Sequence, residues 1–223
     1  MKFLNFDTTK SWDYENGFYL TSDIRRISKL LAHYELYKKI VHLPGQVIEF
    51  GVYKGNSLIR FLTFREILES PYSRKVIGFD IFGQFPKSQH LETDRNFVKN
   101  FEAAGGDGIS DDTLKKVLLH KEFKNFELIK GDILETLPRY LKKHPELKIS
   151  LLHIDVDVYE PTKIILEQCY DKLVPGGMIV FDDYGTVHGE TKAIDEFFMN
   201  KNIKIEKNPI AHIPSFICKN ISL

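Results

Sequence analysis

The chain has 223 residues, with 31 Lys and Arg balanced by 31 Asp and Glu, so its formal net charge is zero. That balance excludes a partner held mainly through phosphate neutralisation, and so a nucleic acid; at 43% hydrophobic and 28% charged residues it also excludes a disordered charged tail. A chain this long buries roughly 70–75% of its unfolded surface, so it needs neither disulfide nor metal to fold.

The first residues lack the apolar run of a signal peptide, and no stretch approaches the ~20 apolar residues that span a bilayer. A cytoplasmic protein without membrane insertion is expected. The two cysteines, Cys169 and Cys218, sit in no ligand spacing and read as buried thiols.

Residues 1–20 are aromatic-rich (Phe3, Phe6, Trp12, Tyr14, Phe18, Tyr19) and show no clear period. Thr21-Ser22-Asp23 then offers N-cap oxygens to a helix in which Ile24, Ile27, Leu31 and Tyr34 recur at helical spacing. The pattern runs through Tyr37 to Val41 and stops at Pro44-Gly45. Residues 1–44 are therefore expected to form an N-terminal helical cap or arm, and residues 45–223 the main domain.

Within that domain, strands are predicted at Val47–Phe50, Lys75–Asp80, Phe126–Lys130, Ile149–Asp155 and Met178–Asp182. Helices are predicted at Leu58–Leu68, Leu134–Lys143, Thr162–Lys172 and Thr191–Asn200. Apolar strands separated by helices specify a parallel sheet covered on both faces. Ile203–Glu206 and Ser215–Lys219 are joined too closely for a parallel crossover and must pair antiparallel. The expected fold class is α/β, a Rossmann-like doubly wound sheet of about seven strands, mostly parallel with a C-terminal antiparallel strand. About 45 residues separate Asp80 from Phe126, with a glycine run at 105–108. This insertion, about 83–125, reads as a mobile lid containing a helix at Asp111–His120.

Three strand ends carry chemistry. After the first, Glu49-Phe50-Gly51-Val52-Tyr53-Lys54-Gly55-Asn56-Ser57 turns on glycines into a helix, exposing backbone N–H groups where Gly51 lets a ligand approach. Asp80 closes the next strand, some 29 residues after Gly51, where an open α/β sheet places a ribose-hydroxyl acceptor. Lys130-Gly131-Asp132-Ile133 closes the third and reads equally as a pocket wall or as a helix cap. The strongest constellation is acidic: Asp155 and Asp157 end one strand, Asp182 and Asp183 another. Four carboxylates on one sheet edge would repel each other and raise their pKa values unless a hard divalent cation joined them, Mg²⁺ first, with Mn²⁺ or Ca²⁺ possible.

These motifs, with Leu152-His153-Ile154-Asp155-Val156-Asp157-Val158-Tyr159-Glu160-Pro161-Thr162 and Asp182-Asp183-Tyr184-Gly185, resemble the macrocin O-methyltransferase (TylF-like) family of class I S-adenosylmethionine-dependent methyltransferases over roughly residues 45–200. The resemblance implies that Glu49, Gly51 and Ser57 line the methionine and ribose end of S-adenosylmethionine, Asp80 holds its ribose, and Asp132 and Ile133 border its adenine. It implies Asp155, Asp182 and Asp183 as Mg²⁺ ligands and Asp157 as the general base; apart from the resemblance, His188, six residues past Asp182, and His153 are rival bases. The implied reaction methylates a hydroxyl of a deoxysugar, on a nucleotide carrier or on a natural product, and the implied assembly is a homodimer. No residue in 83–125 can be matched to an acceptor site.

Three alternatives stay open. A nicotinamide-dependent sugar oxidoreductase would use a Tyr-x-x-x-Lys pair, and Tyr159 and Lys163 have that spacing, although Pro161 between them argues against one helix. A metal-dependent hydroxylase or hydrolase would keep the aspartates alone, and a binding protein would keep only the sheet.

Overall fold

A computed structural model describes residues 1–86 and 91–220. Residues 87–90 of the expected lid lie outside the described residues. The elements in chain order are β1 (Lys2–Phe3), β2 (Phe6–Asp7), α1 (Ser11–Thr21), α2 (Ile24–Lys38), β3 (Gln46–Phe50), α3 (Asn56–Leu68), β4 (Val76–Asp80), α4 (Glu92–Gly105) and α5 (Asp111–His120). They continue with β5 (Phe126–Lys130), α6 (Ile133–Lys143), β6 (Ile149–Ile154), α7 (Tyr159–Cys169), β7 (Leu173–Phe181), α8 (His188–Phe198), β8 (Glu206–Lys207) and β9 (Ser215–Cys218).

Seven strands form one sheet in the order β5-β4-β3-β6-β7-β9-β8. The first five run parallel, and β9 and β8 are antiparallel, as their short connection requires. The last strand is shorter than expected: Ile203–Ile205 are not paired, and only Glu206 and Lys207 join β9.

Alternation along the strands divides the core in two. Ile48, Phe50, Phe79, Leu152, Ile154 and Phe181 pack with Leu137, Ile165 and Ile194 from α6, α7 and α8. Val47, Val76, Leu151, Met178 and Val180 face the other way, onto Leu36, Tyr37, Leu58, Phe61 and Leu114 from α2, α3 and α5. Glu49 shares the parity of Val47, His153 that of Leu151, and Asp182 that of Val180, so all three point to the α2/α3 side.

The N-terminal region departs from expectation twice. Residues 1–20 are ordered as a small hairpin, β1 with β2, followed by α1, which buries none of its residues. In α2 the inward face is not the Ile24/Leu31 stripe, since Ile24 is 80% exposed and Leu31 44%. Ala32, His33, Leu36 and Tyr37 are buried instead, with Lys29 one turn before them. The helix also ends at Lys38, earlier than the pattern suggested. Cys169 is buried as expected, but Cys218 is exposed at the end of β9.

The insertion carries a second helix, α4, that no pattern announced. The glycine run read as mobile is tied to the β3–α3 turn, because Tyr53 Oη (2.6 Å) and Lys54 Nζ (2.8 Å) both donate to the Gly105 carbonyl.

Candidate active site

The carboxyl ends of β3, β4, β5, β6 and β7 open onto one cavity of about 470 Å³. Its wall includes Gly51, Ser57, Asp80, Asp132, Ile133, Asp155, Asp157, Asp182 and Asp183. A volume in this range suits a nucleoside-sized ligand in a sheet crevice. Phe85, Pro86 and Phe101 of the insertion complete the wall.

Local geometry explains why these residue types stand here. Gly51 has φ of +87°, and a Cβ there would lie 1.7 Å from the Asp155 carbonyl oxygen. Close approach of the β6 end thus demands the glycine, which also lines the cavity. The Asp80 carboxylate accepts from the backbone N–H of Val52 (2.7 Å) and Tyr53 (2.9 Å), and from that of Phe82, pinning the loops after β3 and β4 together. Asp132 caps α6 through Leu134 N–H (2.9 Å) while also facing the cavity, so both of its readings hold. Three non-glycine residues at these strand ends, Tyr53, Phe82 and Asp157, have φ between +50° and +63°. Such strained positions persist only where surrounding contacts over-determine them.

The four aspartates separate into two neighbouring groups. Carboxylate oxygens of Asp155, Asp157 and Asp183 lie within 4.8 Å of one another. Burial raises all three pKa values; Asp182 and Asp157 add to this for Asp155, Asp183 and Asp182 for Asp157, and Asp182 for Asp183. An all-oxygen set with disfavoured charge is the donor chemistry of a hard divalent cation, so the residues present fit such an ion.

Asp182 instead groups with His33 and His153. One of its oxygens receives the Lys29 ammonium, and the other meets His153 Nε2 at 3.2 Å. His153 Nδ1 lies 3.0 Å from Glu49 Oε1. A buried chain Glu49–His153–Asp182–Lys29 therefore alternates acid and base. Burial alone would depress His153, but the two carboxylates push its pKa up to about 9. Burial likewise opposes ionisation of Asp182, yet His153, His33 and Lys29 hold it well below its ordinary value. His33 stacks on Phe61 with both ring nitrogens lacking a hydrogen bond, and desolvation lowers its pKa to about 4.

Beneath the acidic loops lies Glu190, fully buried, whose pKa is raised well above the ordinary value by burial and by Asp183 and Asp157. Its Oε1 accepts the Asp183 N–H at 3.1 Å, and its own N–H donates to the Asp157 carbonyl at 3.1 Å. One residue on α8 thus ties the β6 and β7 loops together, through its side chain to one and its backbone N–H to the other.

The profile of the macrocin-O-methyltransferase (TylF) family matches residues 22–218. The chain belongs to that family. Mycinamicin III 3''-O-methyltransferase of Micromonospora griseorubida is 28% identical over 152 residues, covering 64% of this chain and 56% of that protein. The 8-demethyl-8-(2,3-dimethoxy-alpha-L-rhamnosyl)-tetracenomycin-C 4'-O-methyltransferase of Streptomyces olivaceus is 28% identical over 149 residues, covering 64% and 54%. The chain thus spans little more than half the length of these relatives. The calicheamicin methyltransferase CalS11 superposes with a TM-score of 0.71 at 25% identity, covering 95% of this chain and 86% of that one.

Within this TylF-family chain, Gly51, Ser57, Asp80, Asp132 and Ile133 all reach the cavity, whereas Glu49 is absent from its wall and faces His153. His188 is exposed at the start of α8 and His153 is fully buried. Tyr159 and Lys163 do share one helix, because Pro161 falls in the first turn of α7, where a missing N–H costs nothing. Tyr159 Oη is nevertheless committed to Glu196. Sequence reading missed Arg26, Lys29, His33 and Arg60, which line the cavity from α2 and α3. Polar residues at 26, 29 and 33, spaced along one helix face, were the available signal.

Proposed function

We propose that this chain methylates a sugar hydroxyl of a small-molecule acceptor, using S-adenosylmethionine and a hard divalent cation, Mg²⁺ first. The observation that carries this reading is the cavity's acidic rim. Asp80 and Asp132 stand at the nucleoside end and Asp155, Asp157 and Asp183 at the other, in a chain whose relatives are named as O-methyltransferases, one of them of a rhamnosyl compound.

When bound, S-adenosylmethionine supplies a sulfonium methyl, and the cation supplies charge that acidifies and orients adjacent hydroxyls. Asp80 and Asp132 hold the ribose and border the adenine; Gly51 and Ser57 line the space between. Asp155 and Asp183 hold the cation, with Asp182 beside them kept ionised by His153 and Lys29. Asp157 takes the proton from the acceptor hydroxyl, its carboxylate set by the left-handed backbone and by Glu190 below. Phe85 and Phe101 exclude water from the transfer.

The test is a methyl-transfer assay over nucleotide-activated deoxysugars and glycosylated natural products, run with Mg²⁺ and after EDTA. Transfer that EDTA abolishes and Mg²⁺ restores supports the reading. Calorimetric binding of NAD without binding of S-adenosylmethionine would sink it.

A further inference from the structure

Buried guanidinium groups in this chain follow a pattern with one departure. Arg65 donates to the carbonyls of Arg74 (3.0 Å), Asn125 (2.9 Å) and Lys124 and to Glu66. Arg74 donates to Glu69, to Ser150 Oγ at 2.6 Å and to the carbonyls of Gly45 and Ile40, each at 3.1 Å. Arg74 is met at every nitrogen and Arg65 at all but its Nε, as structural arginines require, because an unmet buried donor costs its full desolvation.

Arg60 breaks the pattern. It is half-buried on α3, one turn after Ser57, and lines the cavity together with Arg26 from the first turn of α2. Among the described residues, neither guanidinium donates a hydrogen bond or pairs with a carboxylate. Burial and the like charge of Arg26 act together to lower the Arg60 pKa, against attraction from Asp182, Glu49 and Asp155. Those acids are not its partners. Asp182 is taken by Lys29 and His153, and Glu49 by His153. Two neighbouring cations, with ten N–H donors between them that no described residue accepts, therefore face the cavity without a direct ion-pair partner.

We propose that Arg26 and Arg60 form an oxyanion subsite of the cavity, taking a carboxylate or phosphate group of a bound ligand. The inference rests on the methyl-donor reading for its first source, the amino-acid carboxylate of S-adenosylmethionine. That assignment follows from placement. The adenosine end belongs to Asp80 and Asp132 after β4 and β5, while the acids that Arg60 feels belong to β3, β6 and β7, across the switch point of the sheet. The second source is a phosphate on a nucleotide-linked acceptor, which offers the same chemistry.

The experiment is titration calorimetry of the full chain and its Arg60→Gln, Arg26→Gln and doubly substituted variants against three probes. S-adenosylhomocysteine carries the carboxylate, 5′-methylthioadenosine lacks the amino-acid tail, and thymidine diphosphate carries only phosphate. Arg26 is exposed, so its variant folds whatever Arg60 does for packing. The expected result is a loss of about 10- to 100-fold in affinity for S-adenosylhomocysteine, with 5′-methylthioadenosine unchanged. A loss confined to thymidine diphosphate supports the subsite with phosphate as the source. Unchanged affinity for all three probes, or an equal loss for both adenosyl compounds, overturns it. If the unsubstituted chain binds neither adenosyl compound, the methyl-donor reading fails and the carboxylate arm fails with it.

Discussion

Asp94, on the insertion helix α4, accepts a 2.9 Å hydrogen bond from the backbone N–H of Tyr159 at the start of α7. The residue before that helix, Val158, has no side-chain acceptor, so a carboxylate 65 residues upstream in sequence caps it. Asp94 is 2% exposed, and Gly189 of α8 leaves room for it, since a Cβ there would lie 2.3 Å from Asp94 Oδ1. The insertion is thus latched to the segment that follows Asp157.

Asp94→Ala should cost about 1 kcal/mol through the lost cap. For a chain of this size that lowers the thermal midpoint by about 2–4 °C, readable by calorimetry. Asp94→Asn keeps an acceptor oxygen and should retain most of the stability. Gly189→Ala should also lose stability, only partly in common with Asp94→Ala, because its Cβ would meet both Asp94 Oδ1 at 2.3 Å and the Tyr159 backbone nitrogen at 2.8 Å; fully additive losses would show that the two residues share no contact.

The neighbours Asp182 and Asp183 should respond oppositely in metal-free buffer. Asp182→Ala strands Lys29 and His153 and should destabilise by about 3–5 kcal/mol. Asp183→Asn relieves repulsion within a cluster whose charges are already disfavoured, and should be neutral or stabilising. Urea unfolding midpoints of the two variants decide this, and equal losses would contradict the separation of the groups.

His153 makes stability pH-dependent. Its folded pKa, about 9, lies above the ordinary imidazole value of 6.5, so its contribution is complete below pH 6.5 and is lost as pH rises through 9. The urea midpoint of the metal-free chain should fall between those values, and His153→Gln should flatten that fall. His33 acts in the other direction: with its pKa lowered to about 4, its neutral form favours folding above pH 6.5, and this is lost as pH falls toward 4.

Two glycines should contrast sharply. Gly51→Ala drives a methyl group into the Asp155 carbonyl and should abolish soluble, folded protein. At Gly17 in α1 an added Cβ meets nothing within 4 Å, so Gly17→Ala should stabilise by up to about 1 kcal/mol through helix propensity. Expression and thermal unfolding of both variants check the pair.

Legibility followed the range of the interactions. Val47–Phe50, Phe126–Lys130 and Asp111–His120 were readable because strand burial and helix capping are encoded within a few residues. Helix α4 was not, since its inward face holds an aspartate whose partner lies on α7. The face of α2 was misread for a related reason. Apolar spacing marks a core-facing stripe only when the core there is apolar, and α2 turns Lys29 and His33 toward Asp182.

By itself the sequence determined the α/β class, the parallel sheet with its antiparallel end, and the strand-end loops that carry Asp80, Asp132, Asp155, Asp157, Asp182 and Asp183. Period and capping are local, and topology rules convert them into a shared sheet edge. Only the tertiary structure decided how those acids divide. Asp182 and Asp183 are adjacent in the chain, yet one ends on the α2/α3 side against Lys29 and His153 while the other joins Asp155 and Asp157. Which charge a carboxylate meets depends on what packs against its strand, and here that was decided by a helix more than 140 residues earlier in the chain.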